Sequence, residues 1–330
     1  MADTPPLCLT MGEPAGIGGE IAIKAWTAQR TQAVAPFFMI DRPERLRALA
    51  TRIGIDIPIA VINSPRDVHF TEALPVLALN ATVDSEPGKL DTANAAAVIE
   101  SITRGHALVM AGQASALVTN PIQKSTLYAA GFSYPGHTEF LAALAKSETP
   151  PVMMLAVEGL RVVPITVHES LRTALDGLTI ESIVVKARIA ARELRARFGI
   201  AHPRLAVAGV NPHAGESGTI GREEIDIVIP AIEILRSEGW HVAGPLSPDT
   251  MFHPRARAEY DVAICHYHDQ ALIPLKTIDY DHGVNVTLGL DFIRTSPDHG
   301  TALDIAGTGT ANPESLIAAL NLAARLSQGG

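Results

Sequence analysis

The chain has 330 residues, 47% of them hydrophobic, and its 35 acidic side chains against 26 basic ones give a net charge of −9. That length buries a sizeable core and that hydrophobicity excludes disorder, while the acidic balance opposes any general affinity for nucleic acid or for an anionic membrane. A bound anion would need a local basic pocket.

Cys8 and Cys265 are the only cysteines; each sits in a strand-like run, which fits two buried thiols in a reducing compartment better than a bridge. The start, "MADTPPLCLT", lacks a basic segment followed by a long apolar one, and the most apolar stretch, "PVMMLAVEGLRVVPITV", is interrupted by Glu158 and Arg161. A cytoplasmic protein with no membrane span is expected.

Short apolar runs alternate with segments of helical period throughout, the pattern of an α/β protein with a largely parallel sheet. "PLCLT" reads as a strand entering the Gly-rich "MGEPAGIGGE" and a helix through about residue 29. Gly12, Gly16, Gly18 and Gly19 lie where backbone N–H groups hold phosphate in other proteins, but the segment matches neither G-x-G-x-x-G nor G-x-x-x-x-G-K-[ST], so a tight structural turn is the better reading. "ASALVTNP" is a second strand leading into the helix "IQKSTLYAAG", with Gly131 as its stop. "YPGHTEF" offers His137 and Thr138 ahead of a helix beginning near Glu139: an anion site at a helix start, or simply an N-cap by Thr138.

"VMMLAVEGLRVVPITVH" reads as an antiparallel hairpin around Glu158-Gly159, and a change of lobe near 151–168 would fall there; the whole of 1–330 is otherwise one enzyme unit. "TIESIVVKARIAARELRARFG" is a helix capped by Thr179 and ended by Gly199, with Arg188, Arg192, Arg195 and Arg197 on a solvated face. Asn312 and Pro313 open the last helix, "PESLIAALNLAARL".

Three apolar runs end in histidine: "RVVPITVH" at His168, "RLAVAGVNPH" at His213 and "DVAICHYH" at His266 and His268. Ligands gather beyond the carboxyl ends of strands in open α/β sheets, and three neutral imidazoles suit Zn²⁺ and similar cations while leaving a coordination position open. Each histidine taken alone is more often a surface or hydrogen-bonded residue. His266 and His268 share one face of a period-2 strand, so spacing does not choose between them. Lys276, Asn285 and Arg294 follow within 19 residues of one another, two cations and an amide that suit a phosphate or carboxylate.

The segments "GEPAGIGGE", "YPGHTEF", "GVNPHAGESG", "GPLSPDTMF", "YHDQALIPLK" and "GVNVTLGLDFIRTSPDHGTALDIAGTG", in order across nearly the whole chain, resemble the 4-hydroxythreonine-4-phosphate dehydrogenase (PdxA) family of vitamin B6 biosynthesis. The resemblance implies a two-lobed fold like that of isocitrate and isopropylmalate dehydrogenases, with α/β/α layers and a cleft between lobes, and a homodimer with shared active sites. It implies a divalent metal (Zn²⁺, Mg²⁺ or Co²⁺) on His168, His213 and His268, the last from the partner subunit, and substrate contacts at His137, Thr138, Lys276, Asn285 and Arg294. Asp249, in "SPDTMF", matches a further acidic residue of the site.

The implied reaction is NAD(P)-dependent oxidation of 4-phosphooxy-L-threonine followed by decarboxylation to 3-amino-2-oxopropyl phosphate. The general base stays open between His137, Asp249 and a group on the metal, and the NAD or NADP residues stay unassigned. Two alternatives remain at this level: a relative oxidising another phosphorylated four-carbon acid or a dihydrodiol acid, and a metal-dependent hydrolase, which would release phosphate without nicotinamide.

Overall fold

The computed structural model describes residues 4–329. In chain order its strands are β1 (Leu7–Thr10), β2 (Phe37–Asp41), β3 (Ile59–Ile62), β4 (Leu74–Ala78), β5 (Leu117–Val118) and β6 (Val152–Val157). They continue as β7 (Leu160–Pro164), β8 (Arg204–Ala208), β9 (His241–Leu246), β10 (Val262–Cys265), β11 (Val284–Leu288) and β12 (Arg294–Pro297). The chain divides into two compact units, one comprising the residues up to Pro151 together with Leu290–Gln328, the other Val152–Gly289.

The first unit is a parallel sheet in the order β3-β4-β2-β1-β5-β12. Every residue of β1 and β2 is buried, as expected of unbroken apolar strands covered by helices on both faces. Cys8, Phe38, Ile40, Val98, Ile102 and Leu117 centre one core. The Gly-rich segment is the tight turn its sequence suggests: Gly12 has φ +72, and a Cβ there would lie 2.7 Å from Asn120 Cβ and from the Pro121 carbonyl. The helix that follows spans Gly18–Ala28.

The second unit opens with the hairpin of β6 and β7, turning at Glu158-Gly159. Here β11-β6-β7 pair antiparallel, and β7-β10-β8-β9 run parallel. The helix Ile180–Arg197 is capped by a reciprocal pair, Thr179 with Ser182, and Gly199 beyond it has φ +67. Its arginine face is not merely solvated: Arg188 pairs with Glu238, Arg197 with Glu193, and Arg195 lies 4.8 Å from the centre of the Trp240 ring. The last helix, Glu314–Ser327, starts one residue beyond Pro313, and Asn312 Oδ1 accepts the Glu314 N–H at 3.1 Å.

Both cysteines are buried, and burial pushes each thiol well above its usual range. Among the described residues no helix is long and apolar enough to cross a membrane.

Candidate active site

In the first unit the candidate residues collect where β5 ends. Arg294 opens β12, beside β5 in register with Leu117, and only 4% of it is exposed. Its Nε and Nη2 donate to Thr119 Oγ1 at 3.2 and 2.7 Å. Burial lowers its pKa to about 10, partly opposed by the negative charge of Glu139. A guanidinium kept in low dielectric is a costly arrangement that suits an anionic ligand.

His137 is the first residue of the helix His137–Ala145. The helix therefore begins two residues before the expected start, and Thr138 lies inside it instead of capping it. The extended Gly136 precedes the first turn, which Phe140 N–H closes onto the Gly136 carbonyl at 3.2 Å while the Phe140 ring packs on Phe132 and Tyr134. His137 Nε2 is buried with no hydrogen-bond partner. Burial first, then the positive charges of Arg294 and Lys124, hold its pKa well below the ordinary histidine range. At neutral pH the ring is uncharged, and its unsatisfied nitrogen is one that a bound ligand can satisfy.

Lys124 was not among the residues singled out from sequence. It opens the helix Lys124–Ala129, and a Cβ built on Gly136 would lie 3.7 Å from its Nζ. The available signal was a cation placed directly after the β5 strand run, the position that drew attention to histidines elsewhere. Glu13, from the Gly-rich turn, is buried; it accepts from Ala15 N–H at 3.1 Å and from Thr126 Oγ1 at 3.2 Å, and burial raises its pKa.

In the second unit β7, β10 and β8 are adjacent and parallel, so the segments bearing His168, His266, His268 and His213 leave one edge of the sheet. His168 and His268 meet, ring centroids 6.0 Å apart, on a cavity of about 410 Å³ that Thr166, Ser170, Tyr267 and Asp269 also line. His268 Nδ1 lies 2.7 Å from Asp269 Oδ1, a contact that fixes the ring and leaves Nε2 outward. His213 lines a different cavity of about 580 Å³, with Glu216, Glu224, Pro245 and Ser247.

Among the described residues no three His, Cys, Asp or Glu side chains form a group able to hold a metal ion. The donor chemistry of His168 and His268 fits a borderline divalent cation, but within one chain they supply two imidazoles and His213 stands apart.

His266 and His268 do not share a strand face, because β10 stops at Cys265 and His268 is already the first residue of the helix His268–Ile278. The Gln270 side chain ends the strand by accepting the His266 N–H and donating to the Gly209 carbonyl, both at 2.7 Å. His266 turns inward, 1% exposed, with Nε2 2.7 Å from the Ala208 carbonyl. Burial lowers its pKa to about 4.

His213 sits on an unusual turn. His213, Ala214, Gly215, Glu216 and Ser217 all have left-handed φ, between 44 and 79, which costs about 1–2 kcal/mol for each non-glycine residue. Buried Glu224 holds the turn: its Oε1 accepts Val210 and Asn211 N–H, both at 2.7 Å, and its Oε2 accepts Asn211 Nδ2 at 2.9 Å. A Cβ on Gly215 would meet Glu224 Oε2 at 2.5 Å.

The remaining candidates lie on other elements of the second unit. Asp249 is exposed and accepts from Ser247 Oγ at 2.6 Å. Lys276 Nζ lies 5.6 Å from the centre of the Tyr280 ring, and Asn285 Oδ1, on β11, is buried with no hydrogen-bond partner.

Fold and strand-end residues together define an α/β enzyme scaffold of two units. The chain belongs to the PdxA family: the family described as pyridoxal phosphate biosynthetic protein PdxA matches residues 32–323. It is 56% identical to 4-hydroxythreonine-4-phosphate dehydrogenase of Methylorubrum populi, over 99% of this chain and 96% of the relative. The crystal structure of 4-hydroxythreonine-4-phosphate dehydrogenase from Klebsiella pneumoniae superposes with a TM-score of 0.90 at 41% identity, covering 98% of this chain and 100% of that one. A terephthalate 1,2-cis-dihydrodiol dehydrogenase from Burkholderia xenovorans is similar at a TM-score of 0.64 and 30% identity, over 97% of both chains.

Proposed function

We propose that this chain is a 4-hydroxythreonine-4-phosphate dehydrogenase, oxidising 4-phosphooxy-L-threonine with NAD or NADP and yielding 3-amino-2-oxopropyl phosphate after loss of CO₂. The observation that carries this reading is the 56% identity across 99% of the chain to a relative of that name. In the oxidation the C3 carbinol loses a hydride to the nicotinamide and its hydroxyl proton to a base; the resulting β-keto acid then releases its carboxyl group as CO₂.

His137, Thr138 and Arg294 on the first unit, and Lys276 and Asn285 on the second, are assigned to the substrate. Arg294, buried and positive, suits an anionic group, and neutral His137 presents Nε2 to it. The buried Asn285 Oδ1 is an acceptor suited to the substrate ammonium. His168, His213 and His268 are assigned to a divalent cation, which when bound lowers the pKa of a coordinated hydroxyl and polarises the ketone. Since one chain brings only His168 and His268 together, the assignment includes a homodimer in which a second copy completes the ligand set. The base is His137 or Asp249. The acidic surface and reducing-type cysteines support a cytoplasmic site of action.

Absorbance of NAD(P)H tests the reaction. Purified protein supplied with a divalent cation and 4-phosphooxy-L-threonine is expected to reduce NAD or NADP, faster than with a terephthalate cis-dihydrodiol, the substrate class that the Burkholderia relative's name suggests. Phosphate release with no nicotinamide reduction would replace the dehydrogenase reading with a hydrolase.

A further inference from the structure

We infer that the nicotinamide dinucleotide binds on the first unit, in a cavity of about 770 Å³ between the helix Pro43–Arg52 and the segment 82–87. The inference rests on the dehydrogenase reading and adds a place for the cofactor, which no sequence motif supplied. The cavity is lined by segments that follow β1, β2 and β4, at Pro14, Arg42–Arg52 and Thr82–Pro87. Those strands are parallel neighbours, and the carboxyl ends of such strands are where α/β sheets hold ligands. Its volume lies within the roughly 300–1,000 Å³ of small-molecule sites.

The lining matches the chemistry of a dinucleotide part by part. On the helix wall, Arg42 donates through Nη1 to the Leu79 carbonyl and has Nε near Glu44, and Arg52 donates through Nε to the Gly307 carbonyl. Both are thereby anchored, with Arg42 Nη2 and both Nη groups of Arg52 left for a pyrophosphate. Arg45 is not counted, because Asp41 engages its guanidinium.

On the other wall Asp84 is pinned through its backbone: Asn94 Oδ1 accepts its N–H at 3.1 Å, and Asn94 Nδ2 donates to its carbonyl at 2.7 Å. Those bonds leave the Asp84 carboxylate for a ribose diol. Glu86, by contrast, is paired with Lys89. Pro14, Ala48, Leu49, Val83 and Pro87 supply the apolar surface a ring needs.

The test is calorimetric titration with ADP-ribose, which carries the pyrophosphate and ribose but no hydride acceptor, so binding is read without turnover. Wild-type protein is expected to bind it, and Arg52→Ala and Asp84→Asn are each expected to weaken binding about ten- to hundredfold. Ala48→Trp, which fills the cavity, should abolish it. Arg52 is exposed, so its truncation tests the site even where the tryptophan is not tolerated, and an unchanged melting temperature certifies each variant's fold. Variants that bind ADP-ribose as the wild type does, while the wild type still reduces NAD or NADP, overturn this site and leave the reaction standing. A wild type that reduces neither nucleotide overturns the reaction itself.

Discussion

The two units treat their candidate residues in opposite ways. In the first, Arg294 is 4% exposed and the buried His137 Nε2 has no partner, so the charge and the unsatisfied nitrogen are fixed before any ligand arrives. In the second, His168 and His213 are exposed and His268 is half-buried, with two imidazoles facing one cavity and a third facing another. A group that must recognise an anion gains strength from low dielectric, at a desolvation cost already met by the fold. An imidazole that must take a cation has to stay neutral and reachable, and its shell is completed only when the ligand set assembles.

The largest expected effect falls on the open unit. Chelation, or His268→Ala, should reduce activity to background while leaving the melting temperature of the first unit's core unchanged; full turnover by verified metal-free protein would remove the histidines from the mechanism. Mixing His168→Ala and His268→Ala subunits sharpens the point. Random exchange restores about a quarter of wild-type activity if the two ligands of each site come from different chains, and none if both come from one.

Next is the sealed unit. Arg294→Met should raise KM for the phosphorylated substrate about ten- to hundredfold, with metal content unchanged. The melting temperature should hold or rise, because the buried guanidinium already has its pKa lowered to about 10 by desolvation. A large drop in stability with unaltered KM would make Arg294 a structural residue and dissolve the contrast between the units.

Glu224→Gln should cost about 1–3 kcal/mol in urea titration, since it weakens a carboxylate that accepts three hydrogen bonds. Amide exchange should accelerate around residues 213–218, with the substrate KM attributed to Arg294 unmoved.

The smallest effect concerns His266. Its folded pKa of about 4 lies below the ordinary value near 6.5, so the unfolded chain takes up the proton first as pH falls. Its contribution is fully present above about pH 6.5 and declines as pH drops toward 4, by about 1 kcal/mol at pH 5.5. Stability measured at pH 7.5 and 5.5 in wild type and His266→Leu should differ in slope by that amount, and parallel slopes would refute the assignment.

Much of this architecture was legible because it rests on local rules. The strand of Cys8, the turn at Gly12, the hairpin at Glu158-Gly159 and the Thr179 cap each follow from apolar runs, glycine placement or capping chemistry within a few residues. The histidines at strand ends were legible for the same reason, as a polar residue terminating a buried run. What was not legible depends on distant partners. The Gln270 side chain decides where β10 stops and so separates His266 from His268. Phe140, packing on Phe132 and Tyr134, accompanies a helix start at His137. Arg294 could be singled out as a cation, but its burial against Thr119 could not, since the two lie far apart in the chain.

The winding of residues 213–217 bears on how His213 moves. A right-handed turn of ordinary residues rests in its own minimum, whereas this mirror-image turn is held away from that minimum by one carboxylate. Its reach is therefore governed by a single anchor, Glu224, and not by the packing of β8 beneath it. Releasing the anchor lets the backbone reverse hand and swings the imidazole through a new arc while the strand stays in place. Glycine at 214 or 217, which adopts either hand at similar cost, would quiet that tension, and a β-branched residue there would tighten it. Of the three imidazoles, His213 is thus the one whose position is set by handedness, and the one that ordinary side-chain changes nearby can retune.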